Sequence, residues 1–312
     1  MNETPLLSIT IETYNQKDFI TQTMDSILQQ KYDFPYEIIV GDDCSSDGTA
    51  KILDEYASRY PQIKIIHNEQ NLGALENFYN LLKFCNGKYL MDCAGDDYWV
   101  QHKVEKQISF MENNPDVGFC YGKAICCNNI GKRIGNVIGK KTETFEELIQ
   151  QNGVPILTFC GRMDVIRKYL AEIKPQEKDW KMEDYPLLLW LSMESKICFL
   201  DDIFGVYRVL DESASHSVNI DKLFSFEKNV YEIKEFFCKR YNFDLPPFNE
   251  FICRKELLYS LCLKDNCKNE TKDLFKSLLK ENKPISKKDK IRSIIISSRV
   301  LLFLYKILKR PV

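Results

Sequence analysis

The stretch KYLMDCAGDDYW, Lys88 to Trp99, sets Asp96 and Asp97 side by side just past a short apolar run, Lys88 to Asp92. Paired like charge has no structural use there, so the pair raises the question of what it binds. Working outward, the same arrangement recurs upstream. Leu6 to Ile11 is an apolar run that ends in Glu12-Thr-Tyr-Asn15, and Tyr36 to Val40 is another that ends in Gly41-Asp42-Asp43. Between these runs the apolar period changes to that of a helix. Phe19, Ile20, Met24, Ile27 and Leu28 share one face over Asp18 to Gln30; Gly48 to Tyr60 and Gly73 to Cys85 repeat the pattern, with Ile63 to Ile66 as a strand between them. Strand and helix alternating at this spacing predict βαβ units and a mainly parallel, Rossmann-like sheet flanked by helices. Ligands of such sheets bind beyond the carboxyl ends of the strands. Three acidic clusters then share one rim, where carboxylates repel one another unless a cation or hydrogen-bond donors lie among them. A hard divalent ion with oxygen ligands suits them, and such ions are held by one or two carboxylates plus substrate phosphates. Tyr14, on the same rim, offers a flat face to a base. The pattern points to a nucleotide diphosphate bound through a metal.

Composition agrees with a folded enzyme. The 312 residues are 44% hydrophobic and 12% aromatic, enough for one large core with an appendage. The N-terminus has no basic flank and no long apolar segment, which predicts a cytoplasmic protein. Twelve cysteines are scattered without metal spacing and read as reduced, mostly buried small hydrophobes. Net charge is only −2, yet it is uneven: Lys280 to the end carries ten Lys/Arg against two acids, leaving 33 bases and 43 acids before it. An acidic body argues against nucleic acid as a partner, and a basic, apolar tail suggests an anionic surface.

Familiar phosphate-binding loops are missing. No GxGxxG follows the first strand, and GNVIGKK, Gly135 to Lys141, has the wrong spacing for a P-loop and reads better as hairpin turns.

Four segments together resemble the inverting glycosyltransferases of family 2, which have the GT-A fold. They are SITIETYNQKDFI (Ser8–Ile20), EIIVGDDCSSDGT (Glu37–Thr49), NLGALENF (Asn71–Phe78) and CAGDDYW (Cys93–Trp99). The match is close through residue 125 and looser to residue 218. It implies transfer of a sugar from a nucleotide diphosphate, UDP- or dTDP-linked, to an acceptor hydroxyl, with Mg²⁺ or Mn²⁺ on the diphosphate, in surface polysaccharide assembly. Carried over by position, Tyr14 stacks on the base, Asp43 accepts from the base N–H, Asp96 lies near the ribose or sugar and Asp97 holds the metal. Glu12 is counted with the donor-binding residues, although many relatives have proline there; many also have an acid where this chain has Ala94.

The catalytic base is expected in WKMEDYPLLLWL, Trp180 to Leu191, where Glu183-Asp184 opens an apolar helix. By itself Asp184 reads better as an N-cap ahead of Pro186. The resemblance favours it as the base, with Glu183 as the fallback. Arg208 is a candidate for a phosphate, and His216 either ligates the metal or is merely solvated in a Ser-rich loop. Asp42 and Asp47 read as turn and cap residues, Asn77 as a brace of the rim, and Trp99 as packing beneath it.

Three domains are expected: a catalytic domain over residues 1–218, a helical extension over 219–282 and a basic amphipathic tail helix over 283–312. The tail is expected to lie on the inner face of the cell membrane or to pack on protein, including a second copy of the chain. The acceptor is expected to be a glycan or a lipid-linked glycan. Two rivals stay open. A sugar-nucleotide-forming nucleotidyltransferase would need an Arg/Lys-bearing Gly-rich loop after the first strand, and Glu12 to Asn15 is not one. A non-catalytic carbohydrate-binding protein would not need the retained aspartates.

Overall fold

The computed structural model describes residues 4–210 and 220–245, with isolated positions 291, 294 and 298. The chain forms two compact units, Met1–Ser213 and Ala214–Val312. In the first, β1 (Leu7–Thr13) puts Leu7, Ile9 and Ile11 on one face and Ser8 and Thr10 on the other, the period-2 alternation of a strand buried on both sides. It is flanked by β2 (Tyr36–Asp42) and β4 (Tyr89–Asp92), both parallel to it, and β3 (Ile63–His67) extends β2. The crossovers are helical: α1 (Ile20–Leu28), α2 (Thr49–Arg59) and α3 (Ala74–Leu82). These elements agree with the sequence-based expectation to within a few residues at each end.

Past β4 the sheet changes character. β5 (Tyr98–Trp99), α4 (Lys103–Asn113), β6 (Val117–Cys127), β7 (Cys160–Arg162) and β8 (Lys196–Arg208) complete the order β3-β2-β1-β4-β7-β6-β8-β5. β7 runs antiparallel to both β4 and β6, and β5 runs antiparallel to β8, while β6 and β8 are parallel. The sheet is therefore mixed, with four of its seven pairings parallel. Three helices went unread in the sequence or only partly read: α5 (Phe145–Gln150), started by a Thr144/Glu147 capping box, α6 (Met163–Ile173) and α7 (Asp184–Glu194). In α7 every residue from Tyr185 to Leu191 is buried, as expected for a helix that is apolar all round.

The main core lies between the sheet and α1, α2 and α4, with Ile9, Ile11, Met24, Ile27, Val40, Leu53, Met91, Val104 and Ile108 at its centre. Of the nine free cysteines among the described residues, six are buried, as small hydrophobes should be. In the second unit α8 (Ile220–Tyr241) and residues 242–245 are described; the rest of the expected extension and tail, apart from three single positions, lies outside the described residues. No helix among the described residues is long and apolar enough to cross a membrane.

One glycine fixes how α3 sits on the rim. Asn77, buried on α3, donates through Nδ2 to the Gly41 carbonyl at 2.9 Å and accepts from Asn68 Nδ2 at 3.0 Å. A Cβ on Gly41 would fall 2.3 Å from Asn77 Oδ1. Gly41→Ala is therefore expected to displace a buried amide from both partners and to cost about 1–3 kcal/mol in a urea titration. Wild-type stability in that variant would show that Asn77 swings aside freely.

Candidate active site

Six carboxyl groups, those of Glu12, Asp92, Asp96, Asp97, Glu183 and Asp184, collect at the carboxyl ends of β1 and β4 and at the mouth of α7. Asp92 ends β4 and accepts from Thr10 Oγ1 at 2.6 Å. Glu12, next on the same face of β1, meets Asp92 carboxyl to carboxyl within hydrogen-bonding range, and its buried Oε1 has no hydrogen-bond partner. Two carboxyls in that contact must share a proton. Burial, followed by the charge of Asp92, holds Glu12 well above the ordinary glutamate range, so Glu12 carries the proton; burial also raises Asp92. The signal for Asp92 was a carboxylate inside a four-residue apolar strand, and sequence reasoning passed over it.

The Asp96-Asp97 loop is held from below. The Asp97 side chain is 4% exposed and accepts the Arg208 backbone N–H at 2.7 Å through Oδ1. Thr23 Oγ1 donates to the carbonyls of Gly95 at 2.9 Å and Asp97 at 2.6 Å. Burial and then the Asp96 charge push Asp97 well above the usual carboxylate range, against the Arg208 N–H and guanidinium, which act the other way. Burial raises Asp96 too. Arg208, expected at a phosphate, here has its guanidinium engaged within the fold: Nε on Asp96 O at 2.8 Å, one terminal nitrogen on Asn128 O and Asn129 O at 3.1 and 3.0 Å, the other on Gln22 Oε1 at 2.7 Å. It is buried and stacks over Phe19 at 4.7 Å. In this arrangement it braces the acidic loop.

The β2–α3 side of the rim is more open. Tyr14 is 48% exposed, free to offer its ring. Asp43 is buried and already occupied: Oδ1 accepts from Leu72 N at 2.8 Å and Asn68 Nδ2 at 3.0 Å, and Oδ2 from Gly73 N at 2.8 Å. It ties the start of α3 to the end of β2, so any bond to a base N–H uses a remaining lone pair. Asp42 is the last residue of β2 rather than a loop residue, with Oδ2 3.2 Å from His67 Nδ1. Asp47, expected as a cap, precedes the α2 N-cap Gly48; its carboxylate accepts from Thr49 N at 2.9 Å and from Lys17 N at 3.0 Å. Trp99 is buried beneath the rim, with Lys103 Nζ 4.4 Å from its ring.

Glu183 and Asp184 face Asp92 and Glu12 closely enough for their charges to be felt there. Asp184 is the first residue of α7, not its N-cap; the cap position is Glu183, and its side chain makes no capping bond. Asp184 Oδ1 instead accepts from Tyr185 N at 2.6 Å. Burial, then the Asp184 charge, pushes Glu183 up to about 8. Burial raises Asp184 as well, but the N–H of Tyr185 works against it. Within the pair Glu183 is the carboxyl held up near 8, while Asp184 has a backbone N–H donor that favours its charged form.

These oxygens suit a divalent cation. Asp97 has one protein donor on its carboxyl, leaving lone pairs for a hard ion, and the carboxyls around it are raised in pKa chiefly by burial. Among the described residues no three His, Cys, Asp or Glu side chains are grouped to hold a metal unaided. Diphosphate oxygens would supply the remaining ligands. His216 lies outside the described residues.

Comparisons with known proteins fit this geometry. The family model described as glycosyl transferase family 2 matches residues 8–172. An uncharacterized protein of Mycobacterium tuberculosis is 38% identical over 223 residues, 69% of this chain and 62% of that protein, so this chain spans less than two thirds of that relative's length. The Escherichia coli UDP-Glc:alpha-D-GlcNAc-diphosphoundecaprenol beta-1,3-glucosyltransferase WfgD is 34% identical over 189 residues, 60% of this chain and 69% of that enzyme. Among solved structures, the mannosyltransferase PcManGT from Pyrobaculum calidifontis in complex with GDP-Man and Mn²⁺ superposes with a TM-score of 0.55 at 11% identity, covering 99% of this chain and 89% of that one. The last likeness fixes the fold as GT-A.

The pair at α7 has a thermodynamic signature. Glu183 titrates near its ordinary value in the unfolded chain and at about 8 in the folded one. The fold thus binds a proton that the unfolded chain has released between those values, and stability falls as pH rises through that window. In metal-free protein Glu183→Gln is expected to be more stable than wild type above pH 8 by roughly 1–3 kcal/mol and equal to it near pH 5. Parallel pH profiles for the two proteins in urea would contradict a protonated Glu183.

Proposed function

The chain belongs to glycosyl transferase family 2, and on that premise we propose that it is an inverting glycosyltransferase moving a sugar from a UDP- or dTDP-linked donor to an acceptor hydroxyl. The observation that carries the reading is the meeting of Glu183-Asp184 with the acidic ends of β1 and β4, because it brings a carboxyl with a backbone N–H donor, Asp184, to the rim where a donor diphosphate would sit. The acceptor oxygen attacks the anomeric carbon from the face opposite the diphosphate. As the new C–O bond forms, the bond to the diphosphate oxygen breaks and its electron pair leaves with the nucleotide. Asp184 takes the acceptor's proton, and neutral Glu183 beside it keeps a second charge from opposing the approach of the donor. A Mg²⁺ or Mn²⁺ held by Asp97, with His216 as a further candidate ligand, would supply charge neutralisation for the leaving diphosphate. Tyr14 supports the base, Asp43 receives its N–H, Asp96 lies at the ribose or sugar and Glu12 bounds the sugar side. Arg208 is assigned as a positioning residue for the acidic loop, in place of a direct phosphate contact.

We assign catalysis to residues 1–218 and take the acceptor to be a glycan carried on a lipid, as in surface polysaccharide assembly. The E. coli relative, whose name gives a diphosphoundecaprenol-linked acceptor, supports that choice. Such an acceptor would put the enzyme at the cytoplasmic face of the membrane.

Asp184→Asn keeps the size and the backbone contact of the side chain but removes its basicity. Turnover is expected to fall by roughly 10²–10⁴ with donor affinity nearly unchanged, whereas Glu183→Gln retains most activity. Near wild-type turnover in Asp184→Asn would remove it as the base.

A further inference from the structure

β6 runs past the sheet into a hairpin whose apex has no role in the site described above. The ladder is closed by Ala124 paired with Ile138 and Cys127 with Arg133. Asn128 shapes the turn: its carbonyl accepts Gly131 N at 2.9 Å, its Oδ1 accepts Lys132 N at 2.9 Å and its N–H donates to Lys132 O at 3.0 Å. Gly131 has φ +78°, as this turn requires. Between them sits Ile130, 79% exposed. A β-branched apolar residue at the tip of a tight turn buries nothing in this unit, and turns of this kind favour polar residues. Ile138, 36% exposed, lies farther down the returning arm.

Charge gives the apex its partner. From Val117 to Thr142 the chain has no acidic residue and five cations: Lys123, Lys132, Arg133, Lys140 and Lys141. Lys123 is paired with Asp201, and Lys141 with Glu143 at 3.0 Å. Lys132 and Arg133, immediately after Gly131, are exposed and have no carboxylate partner among the described residues. The acids on the β6–β8 ladder itself, Asp201 and Asp202, lie at the level of Lys123, well back from the apex, and are paired with Lys123 and Lys106; Asp96 and Asp97 lie at the hairpin base, where Arg208 engages them. An apolar tip with unpaired cations beside it matches a bilayer interface, where apolar side chains enter the headgroup boundary and Lys/Arg meet anionic lipid. The base of the hairpin is not remote from the chemistry, since Arg208 holds the Asn128 and Asn129 carbonyls with the same guanidinium that holds Asp96 O.

We infer that the hairpin Cys127–Ile138 docks the catalytic unit on an anionic membrane surface, with Ile130 entering the headgroup region and Lys132 and Arg133 on lipid phosphates. The inference draws its purpose from a lipid-carried acceptor, but its evidence is the apex itself. Docking there fixes the acidic loop at a set height above the bilayer through one buried arginine.

The test is flotation of the full chain with phosphatidylglycerol-containing vesicles and with pure phosphatidylcholine vesicles, without donor or acceptor. Wild type is expected to float with the anionic vesicles and less in high salt. Lys132→Glu with Arg133→Glu is expected to lower vesicle partition at least roughly tenfold, and Ile130→Asp by roughly 10- to 100-fold. Ile130→Trp should keep binding and show blue-shifted emission quenched by brominated lipid; Trp99, Trp180 and Trp190 are buried and give a steady background. Unchanged flotation in both charge-reversed and Ile130→Asp proteins overturns the inference and leaves any binding to the tail. So does an emission of the Ile130→Trp protein that shifts with protein concentration but not with vesicles, which would mark a contact between copies. Transfer to a water-soluble acceptor is measured in parallel: its loss in wild type counts against the transferase reading, whereas vesicle binding reports on the hairpin alone.

Discussion

Crowding of like charge at one end of the sheet is the constraint on which the rest of this unit depends. Glu12, Asp92, Asp96, Asp97, Glu183 and Asp184 are all raised in pKa, and in each case burial is the largest cause. Carboxylates cannot be concentrated in this way unless protons or a cation are taken up. The fold manages the problem by division. Glu12 and Glu183 hold protons beside Asp92 and Asp184, while the Asp96-Asp97 loop is left with backbone donors and an arginine beneath it. The division sets the Glu183-Asp184 pair at α7 across the rim from a braced pair of aspartates, Asp96 and Asp97.

The scaffold serves that loop. Thr23 on α1 holds its carbonyls, and Arg208 at the end of β8 holds it by backbone and side chain together. Asp43, Asn68 and Asn77 do the same for the start of α3 beside the end of β2. Arg208 joins three segments far apart in sequence, the α1 face through Gln22, the acidic loop and the hairpin base.

The first half of the fold was legible because each element from β1 to α4, β5 apart, is long enough to show its period, and the acid-bearing turns fall where a parallel sheet puts ligands. β5 and β7, of two and three residues, are too short for any period, and their antiparallel pairing is set by tertiary contacts. α6 was different: Met163, Ile166, Tyr169 and Ile173 carry a helical repeat that was there to be read. Within the site, Asp97 and the Glu183-Asp184 pair stood out as charge next to apolar runs. Asp92 did not, because one aspartate in a strand looks like ordinary variation until Thr10 and Glu12 are seen beside it. Arg208 was noticed for its charge, but its partners are mostly backbone carbonyls, which no sequence pattern announces.

Protons held by crowded carboxyls should leave when a cation arrives. Calorimetric titration of UDP with Mn²⁺ into the full chain near pH 7, repeated in buffers of different ionisation enthalpy, reads that exchange directly. Release of about one proton per site is expected, with binding weakened strongly by EDTA. Binding of UDP with no proton release and no dependence on the metal would contradict a cation-balanced acidic rim.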